Sequence, residues 1–255
     1  MTRFKKAILK SPCPSIVNGI TTASLGKPVY DTALAQHIKY REKLSELGLE
    51  ITLLEPDDRF PDSVFIEDAA LCAETFAVVS SPGAESRRGE TDGFSKILGE
   101  FYETVYQINL PGTLEPGDVM MAGSHFFIGI SGRTNNEGAN QLITILSKHG
   151  LSGSKIELKG LLHLKSGVSY LENDTVVVAG NLENHPAFTG YRKIHVPDNE
   201  SYAANSLWIN ETVLVPEGFP VTRERIEKAG YTTATLNMSE FRKVDGGLSC
   251  ISLRF

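Results

Sequence analysis

The sequence predicts an α/β protein assembled from a repeated unit, and three observations carry that expectation. Two short strand-like runs followed by a helix-like run recur along the chain. Their spacing is roughly 40 to 50 residues, a period that points to a radial or stacked array. The strand-like runs are β-branched and aromatic, and the helix-like runs start at Thr or Ser and stop at Gly. The pattern by itself also fits an ordinary α/β sheet with irregular crossovers.

In chain order, the N-terminal unit offers the helix Thr32 to Leu47 but few strands of its own. The next unit has a strand-like run Val64 to Ile66, which leads through Asp68 to the strand Phe76 to Ser80. Pro82-Gly83, Arg87-Arg88 and a helical stretch to Leu98 follow. A further unit runs Asp118 to Met121 and Phe126 to Ile130, after which the polar turn Ser131 to Thr134 opens a helix ending near Gly150. Gly167 to Leu171 and Thr175 to Ala179 form the next pair of strands. The last full unit has Ser206 to Ile209, Thr212 to Val215, the turn Pro216 to Pro220 and the helix Thr222 to Gly230. Ser249 to Phe255 has strand character with no helix after it, so it is expected to close a ring against the N-terminal unit. Units set around an axis would bring polar residues distant in sequence together at the middle.

The bulk properties narrow the function. The chain has 255 residues, 41% of them hydrophobic and 22% charged, enough for one sizeable core and unlike a disordered or fibrous chain. No stretch is rich enough in Pro, Gly or Ser to act as a linker, so a single domain over residues 1–255 is expected. A formal net charge of -6 argues against nucleic acid as a partner, because phosphates need a basic face. No apolar run approaches the roughly 20 residues that span a bilayer. The short apolar piece Ala7-Ile8-Leu9 is no secretory core, which leads to an expectation of a cytoplasmic protein with no membrane partner. Cys13, Cys72 and Cys250 are far apart and form neither a disulfide framework nor a zinc spacing. No P-loop and no dinucleotide fingerprint is present, and neither a cofactor nor a metal is expected.

Cys250 follows Asp245-Gly246-Gly247-Leu248-Ser249, and glycines beside a strand permit close approach of a ligand. An isolated cysteine is equally readable as a small buried hydrophobe, and Cys13 and Cys72 are read that way. His163 lies among leucines, which suits a hydrogen-bonded core residue or a general acid–base group. Acidic clusters stand at Asp62, Glu67 and Asp68, at Glu115 and Asp118, and at Asp245. Each reads as solvated carboxylates or, together, as a pocket for a planar cation. Arg87 and Arg133 sit where helices open, a position the helix dipole disfavours for a cation, and arginine suits bidentate capture of a carboxylate.

The runs Phe60 to Asp68, Pro82 to Glu90, Leu114 to Val119, His163 to Gly167 and Asp245 to Cys250 stand in one order across the chain. Together they closely resemble the dimethylarginine dimethylaminohydrolase family, particularly its bacterial members. The resemblance implies the pentein fold, five ββαβ-type units around a pseudo-fivefold axis with the active site in the central channel. It also implies a reaction, in which a small-molecule methylarginine substrate and water give citrulline and a methylamine. By position, Cys250 resembles the nucleophile, His163 the proton donor and Glu115 the carboxylate that orients His163. Glu67 and Asp68 look like guanidinium-facing acids, Arg87 and Arg133 like ligands of the substrate α-carboxylate, and Asp62 like a ligand of its amine. Ile20, in a segment that resembles the family's lid, and Val244 would contribute backbone contacts. The oligomeric state stays open, with a homodimer as one arrangement.

Two rivals remain at this level. Another guanidino-modifying hydrolase, of arginine deiminase or hydroxyarginine type, would share the Cys–His–acid set; the short chain argues against typical deiminases, which carry an extra helical domain. A non-catalytic binding protein of the same fold would lack that set.

Overall fold

A computed structural model describes residues 3–255, and among these residues the strands form five three-stranded sheets. The first unit holds β1 (Lys6–Lys10), α1 (Tyr30–Glu46) and β2 (Glu50–Leu54). The second holds β3 (Ala70–Cys72), β4 (Ala77–Val79), α2 (Phe94–Leu98) and β5 (Val105–Gln107). The third holds β6 (Val119–Ala122), β7 (His125–Ile130), α3 (Asn136–Lys148) and β8 (Ser152–Glu157). The fourth holds β9 (Val168–Tyr170), β10 (Thr175–Val178) and β11 (Arg192–His195). The fifth holds β12 (Leu207–Ile209), β13 (Thr212–Pro216), α4 (Pro220–Lys228) and β14 (Thr232–Leu236). The chain ends with α5 (Ser239–Arg242) and β15 (Leu253–Arg254).

Every sheet repeats one plan. Its middle strand pairs antiparallel with the strand nearest the centre and parallel with the outer strand, which returns after a crossover. In the first unit the inner strand is supplied by the far end of the chain: β15 pairs antiparallel with β1, with Ile8 opposite Leu253. This is the ring closure expected from Ser249 to Phe255. The inner strands touch between sheets, β15 against β3, β6 against β9 and β9 against β12. The architecture is the five-unit α/β propeller that the resemblance implies.

Local sequence explains the elements that flank the centre. Asn135 caps α3 by accepting from the Gly138 amide, and Ala139, Leu142, Ile145 and Leu146 bury one stripe of it against the second and third sheets. Pro220 occupies the first turn of α4, so that helix starts before Thr222, since proline has no amide to lose there. The outer parallel strands were not legible from pattern, because they are half-exposed and lack a continuous apolar run.

One expected strand is corrected. Val64 to Ile66 is a series of turns running into a 3-10 turn, Ile66–Ala69, and the strand begins at Ala70. Amides of Ser63, Phe65 and Asp68 bond back to the carbonyls of Phe60, Asp62 and Phe65, a turn pattern in place of a strand ladder. The tight winding delivers Asp62, Glu67 and Asp68 to the centre of the ring. The arginines are also placed differently from the sequence expectation: Arg87 lies inside the 3-10 turn Glu85–Thr91, and Arg133 in the turn ahead of the Asn135 cap.

Helix α1 is tied to the C-terminal loop through Tyr40, whose hydroxyl donates to the Leu248 carbonyl at 2.9 Å and lies 2.7 Å from Ser252 Oγ, all buried. Tyr40→Phe leaves these groups without that partner and is expected to cost about 1–3 kcal/mol of stability in urea unfolding.

Candidate active site

A cavity of about 640 Å³ opens at the middle of the ring and takes lining residues from all five units. Cys250 and His163 both face it, together with Glu67, Gly117, Lys165 and Asn205. Thr22 and Leu25, from the segment between β1 and α1, also line it. A smaller cavity of about 140 Å³ lies behind it, and Glu67, Lys165, Asn205 and Ser249 line both.

Behind His163 stands a chain of buried charges. His163 Nε2 lies 2.8 Å from Glu115 Oε2, and Glu115 Oε1 accepts from the amides of Gly83 and Ala84 and from Arg133 Nη1. Arg87 donates to Asp68 at 2.7 Å and grips Glu90 through Nε and Nη2. Asp68 also accepts from the Gly117 amide, and a Cβ at Gly117 would sit 2.8 Å from both Asp68 Oδ1 and His163 Nδ1. Only glycine lets the imidazole and the acid approach that backbone. Asp118 holds the start of the His163 turn by accepting from the Leu164 amide at 2.9 Å.

A second group surrounds Cys250. The Glu67 amide donates to the Cys250 carbonyl, and the Gly247 amide points at Cys250 Sγ from 3.3 Å. Glu67 Oε1 meets Lys165 Nζ at 2.7 Å and Arg254 Nη2 at 2.8 Å, and Oε2 accepts from Ser249 at 2.7 Å. Both Glu67 oxygens are therefore committed to protein partners. Asp62 accepts from the Ile20 amide through both oxygens, at 3.1 and 3.2 Å, while the Ile20 side chain is exposed. The Val244 side chain belongs to the core beside Phe65 and Leu248.

The electrostatics set a distinctive protonation pattern. Burial opposes charging His163, yet the Asp68 charge, the Glu115 hydrogen bond and the Asp118 charge outweigh it and raise its pKa to about 9. Burial and the neighbouring Glu67 and Asp68 push the Cys250 thiol up to about 12. Near neutral pH the pair is thus an imidazolium and a thiol. Burial opposes ionising Asp68, but His163 and Arg87 more than compensate and hold it below its usual value. Glu90 rises to about 7 and Asp118 to about 6, both through burial. Asp68, Glu115 and His163 place one ligand atom each within 4.8 Å, a spacing that also suits a cation. Those atoms already serve Arg87, Gly117 and one another.

The fold therefore gathers Asp62, Asp68, Arg87, Glu115, Arg133 and His163 into one network and Glu67 and Cys250 into a second, joined at the cavity. Glu90, Lys165 and Ser249 stand inside the sequence motifs without a role read from sequence, and Asp118 only as part of an acidic cluster; Asn205 and Arg254 lie outside the motifs. Nothing in a linear sequence marks a polar residue as nearly buried and bonded on both sides.

A five-unit α/β ring with a thiol, a carboxylate-bound imidazole and buried acids at its centre defines an enzyme of the pentein class. No family model matches the chain. It is 51% identical over 253 residues to N(G),N(G)-dimethylarginine dimethylaminohydrolase of Pseudomonas aeruginosa, covering 99% of this chain and 100% of that protein. It is 34% identical to the enzyme of that name from Streptomyces coelicolor, over 98% of this chain and 96% of the other. A crystal structure of the Pseudomonas aeruginosa protein, a cysteine-to-serine mutant complexed with citrulline, superposes over 100% of both chains with a TM-score of 0.98 and 50% identity. The N-terminal domain of ArgZ, an arginine dihydrolase, has the same fold with a TM-score of 0.89 at 19% identity, over 99% of this chain and 97% of that one. The chain belongs to the dimethylarginine dimethylaminohydrolase family.

Two predictions follow from the charge network. Arg87 is buried against Asp68 and Glu90, so Arg87→Ala strands unpaired acids and is expected to cost about 3–5 kcal/mol in chemical denaturation. Arg133, more accessible and bonded only weakly to Glu115 at 3.4 Å, is expected to leave stability nearly unchanged when replaced by alanine. The second concerns pH. The folded state raises His163 from 6.5 to about 9, so its charge stabilises the fold fully below 6.5 and that contribution is lost as pH rises through 9. Unfolding free energy should fall between pH 7 and pH 9, and His163→Gln should flatten that slope.

Proposed function

We propose that the chain converts Nω-methylated arginine and water to citrulline and a methylamine, through a thiouronium adduct on Cys250. The observation that carries this reading is one cavity faced by both Cys250 and His163, with His163 Nε2 held 2.8 Å from Glu115 Oε2. An ordinary cysteine–histidine pair would be drawn toward thiolate and imidazolium; here the acids keep the sulfur protonated until a cation arrives. A bound guanidinium supplies that cation, stabilises the thiolate and lets the thiol proton pass to solvent water.

The steps then use the residues in order. Sulfur adds to the guanidinium carbon, forming the C–S bond and a tetrahedral adduct. His163 gives its proton to the methylated nitrogen, the C–N bond breaks and neutral methylamine leaves. The neutral imidazole takes a proton from water, whose oxygen attacks the thiouronium carbon. The adduct then collapses: its C–S bond breaks, its hydroxyl proton passes to solvent water, citrulline and the Cys250 sulfur are released, and His163 keeps the proton it took from water. Glu115 orients His163 and, with Asp68, faces the guanidinium. Glu67, its oxygens held by Lys165, Arg254 and Ser249, contributes negative charge beside the sulfur. Arg133 and Arg87 take the α-carboxylate and Asp62 the α-amine, with backbone contacts from Ile20 and Val244. Arg133 is the readier of the two arginines, since Arg87 must share its guanidinium with Asp68.

Residues 1–255 act in this proposal as a single catalytic domain in the cytoplasm, with the oligomeric state left open and a homodimer as one arrangement. No helix among the described residues is long and apolar enough to cross a membrane.

Turnover of a panel of arginine derivatives, with citrulline as readout, tests the reading. Monomethylarginine or dimethylarginine should exceed arginine and hydroxyarginine in kcat/KM; the reverse order would move the chain to another guanidino hydrolase. Cys250→Ser should remove citrulline formation and leave the melting curve in place. Arg133→Ala should weaken methylarginine binding by about 1.5–3 kcal/mol and leave methylguanidine, which has no carboxylate, unaffected.

A further inference from the structure

We propose that Asn205 is a positioning residue whose carboxamide bonds the His163 turn to the Cys250 loop and sets the distance between them. The proposal rests on the methylarginine reading above for its assay. Asn205 is buried and ends the 3-10 turn Asp198–Ala204 of the fifth unit, so it belongs to neither of the segments it joins.

The carboxamide uses its polar atoms across two segments. Its Nδ2 donates to the Lys165 carbonyl at 2.9 Å and to Ser249 Oγ at 3.0 Å. Its Oδ1 accepts from the Ser249 amide at 3.0 Å. Lys165 follows His163 by two residues, and Ser249 immediately precedes Cys250. A planar amide with fixed donor and acceptor directions therefore spans the two segments that carry the reacting groups. The Cys250 loop rests directly on it, because a Cβ at Gly247 would lie 2.5 Å from Asn205 Oδ1. The same Gly247 amide points at Cys250 Sγ. Displacing the carboxamide thus shifts the loop together with the thiol's own hydrogen-bond donor.

The chemistry makes this tie visible in one step more than another. Attack on the guanidinium carbon requires only the sulfur. Expulsion of an amine requires sulfur and imidazolium to act on one adduct, so it depends on their separation. A misplacement of about 1 Å costs on the order of 10²-fold in rate. A leaving group that departs without a proton bypasses the dependence.

The test compares wild type, Asn205→Ala and Asn205→Asp. The second variant keeps the shape and an acceptor for the Ser249 amide, but turns a carboxylate oxygen toward the Lys165 carbonyl. Wild-type citrulline formation is measured first, and its absence would sink the substrate reading separately from this proposal. Both variants are then expected to lose about 10²-fold in kcat on methylarginine, with KM within about threefold of wild type. Single-turnover adduct formation with S-methyl-L-thiocitrulline, read by intact mass after acid quench, should fall less than about tenfold. Equal losses in both assays would mean a generally disordered site and overturn the proposal. So would wild-type turnover by Asn205→Asp, which would show that volume suffices, and so would unfolding of both variants below the assay temperature.

Discussion

A guanidinium held among buried carboxylates stands at the centre of this ring, and the rest of the site is arranged around it. Arg87 meets Asp68 at 2.7 Å and Glu90 at 2.8 Å, and lies 3.9 Å from Glu115. Buried acids are costly unless paired and hydrogen-bonded. Arg87 provides that pairing for three acids brought in by the second and third units. Glu115 is then free to spend one oxygen on His163, and Asp68 to spend one on the Gly117 amide. The pairing is incomplete by design of the charge balance, since Glu90 and Asp118 remain raised toward neutrality. The surplus negative potential is what raises His163 and suppresses the thiolate of Cys250.

That potential defines the kind of ligand the cavity suits. In the proposed reaction a cation entering it offsets the acids that hold the Cys250 thiol up, so binding favours the thiolate. A neutral molecule of the same shape would relieve nothing.

Close approach is the second constraint. Gly117 admits His163 and Asp68, Gly246 admits the ring of Phe65, and Gly247 admits Asn205; in each case a Cβ would fall within 3.0 Å of those side chains. The Cys250 loop is thereby pressed between core aromatics on one side and a polar clamp on the other. Glu67 completes the clamp from beneath, joining Lys165 after the histidine, Ser249 before the cysteine and Arg254 in β15. Closure of the ring by β15 and the placement of the thiol are therefore mechanically linked.

The linear sequence determined the repeat, most of the inner and middle strands, the closing role of Ser249 to Phe255 and the family resemblance. These depend on local periodicity and on short ordered motifs, which any single chain displays. It misplaced the strand at Val64 to Ile66, because β-branched and aromatic composition speaks for extension while the carbonyls of Phe60, Asp62 and Phe65 bend the backbone into turns. It missed the outer strands, whose half-exposed faces lack a readable alternation. Arg87 and Arg133 looked alike in sequence; only the fold buried one against Asp68 and Glu90 and left the other more accessible beside Glu115. The same holds for Asn205, an unremarked polar residue that becomes a bridge because three units converge on it. Burial and partnership across 40 or more residues are properties of the assembled ring, since the energy of a charge or an amide is set by what surrounds it in space.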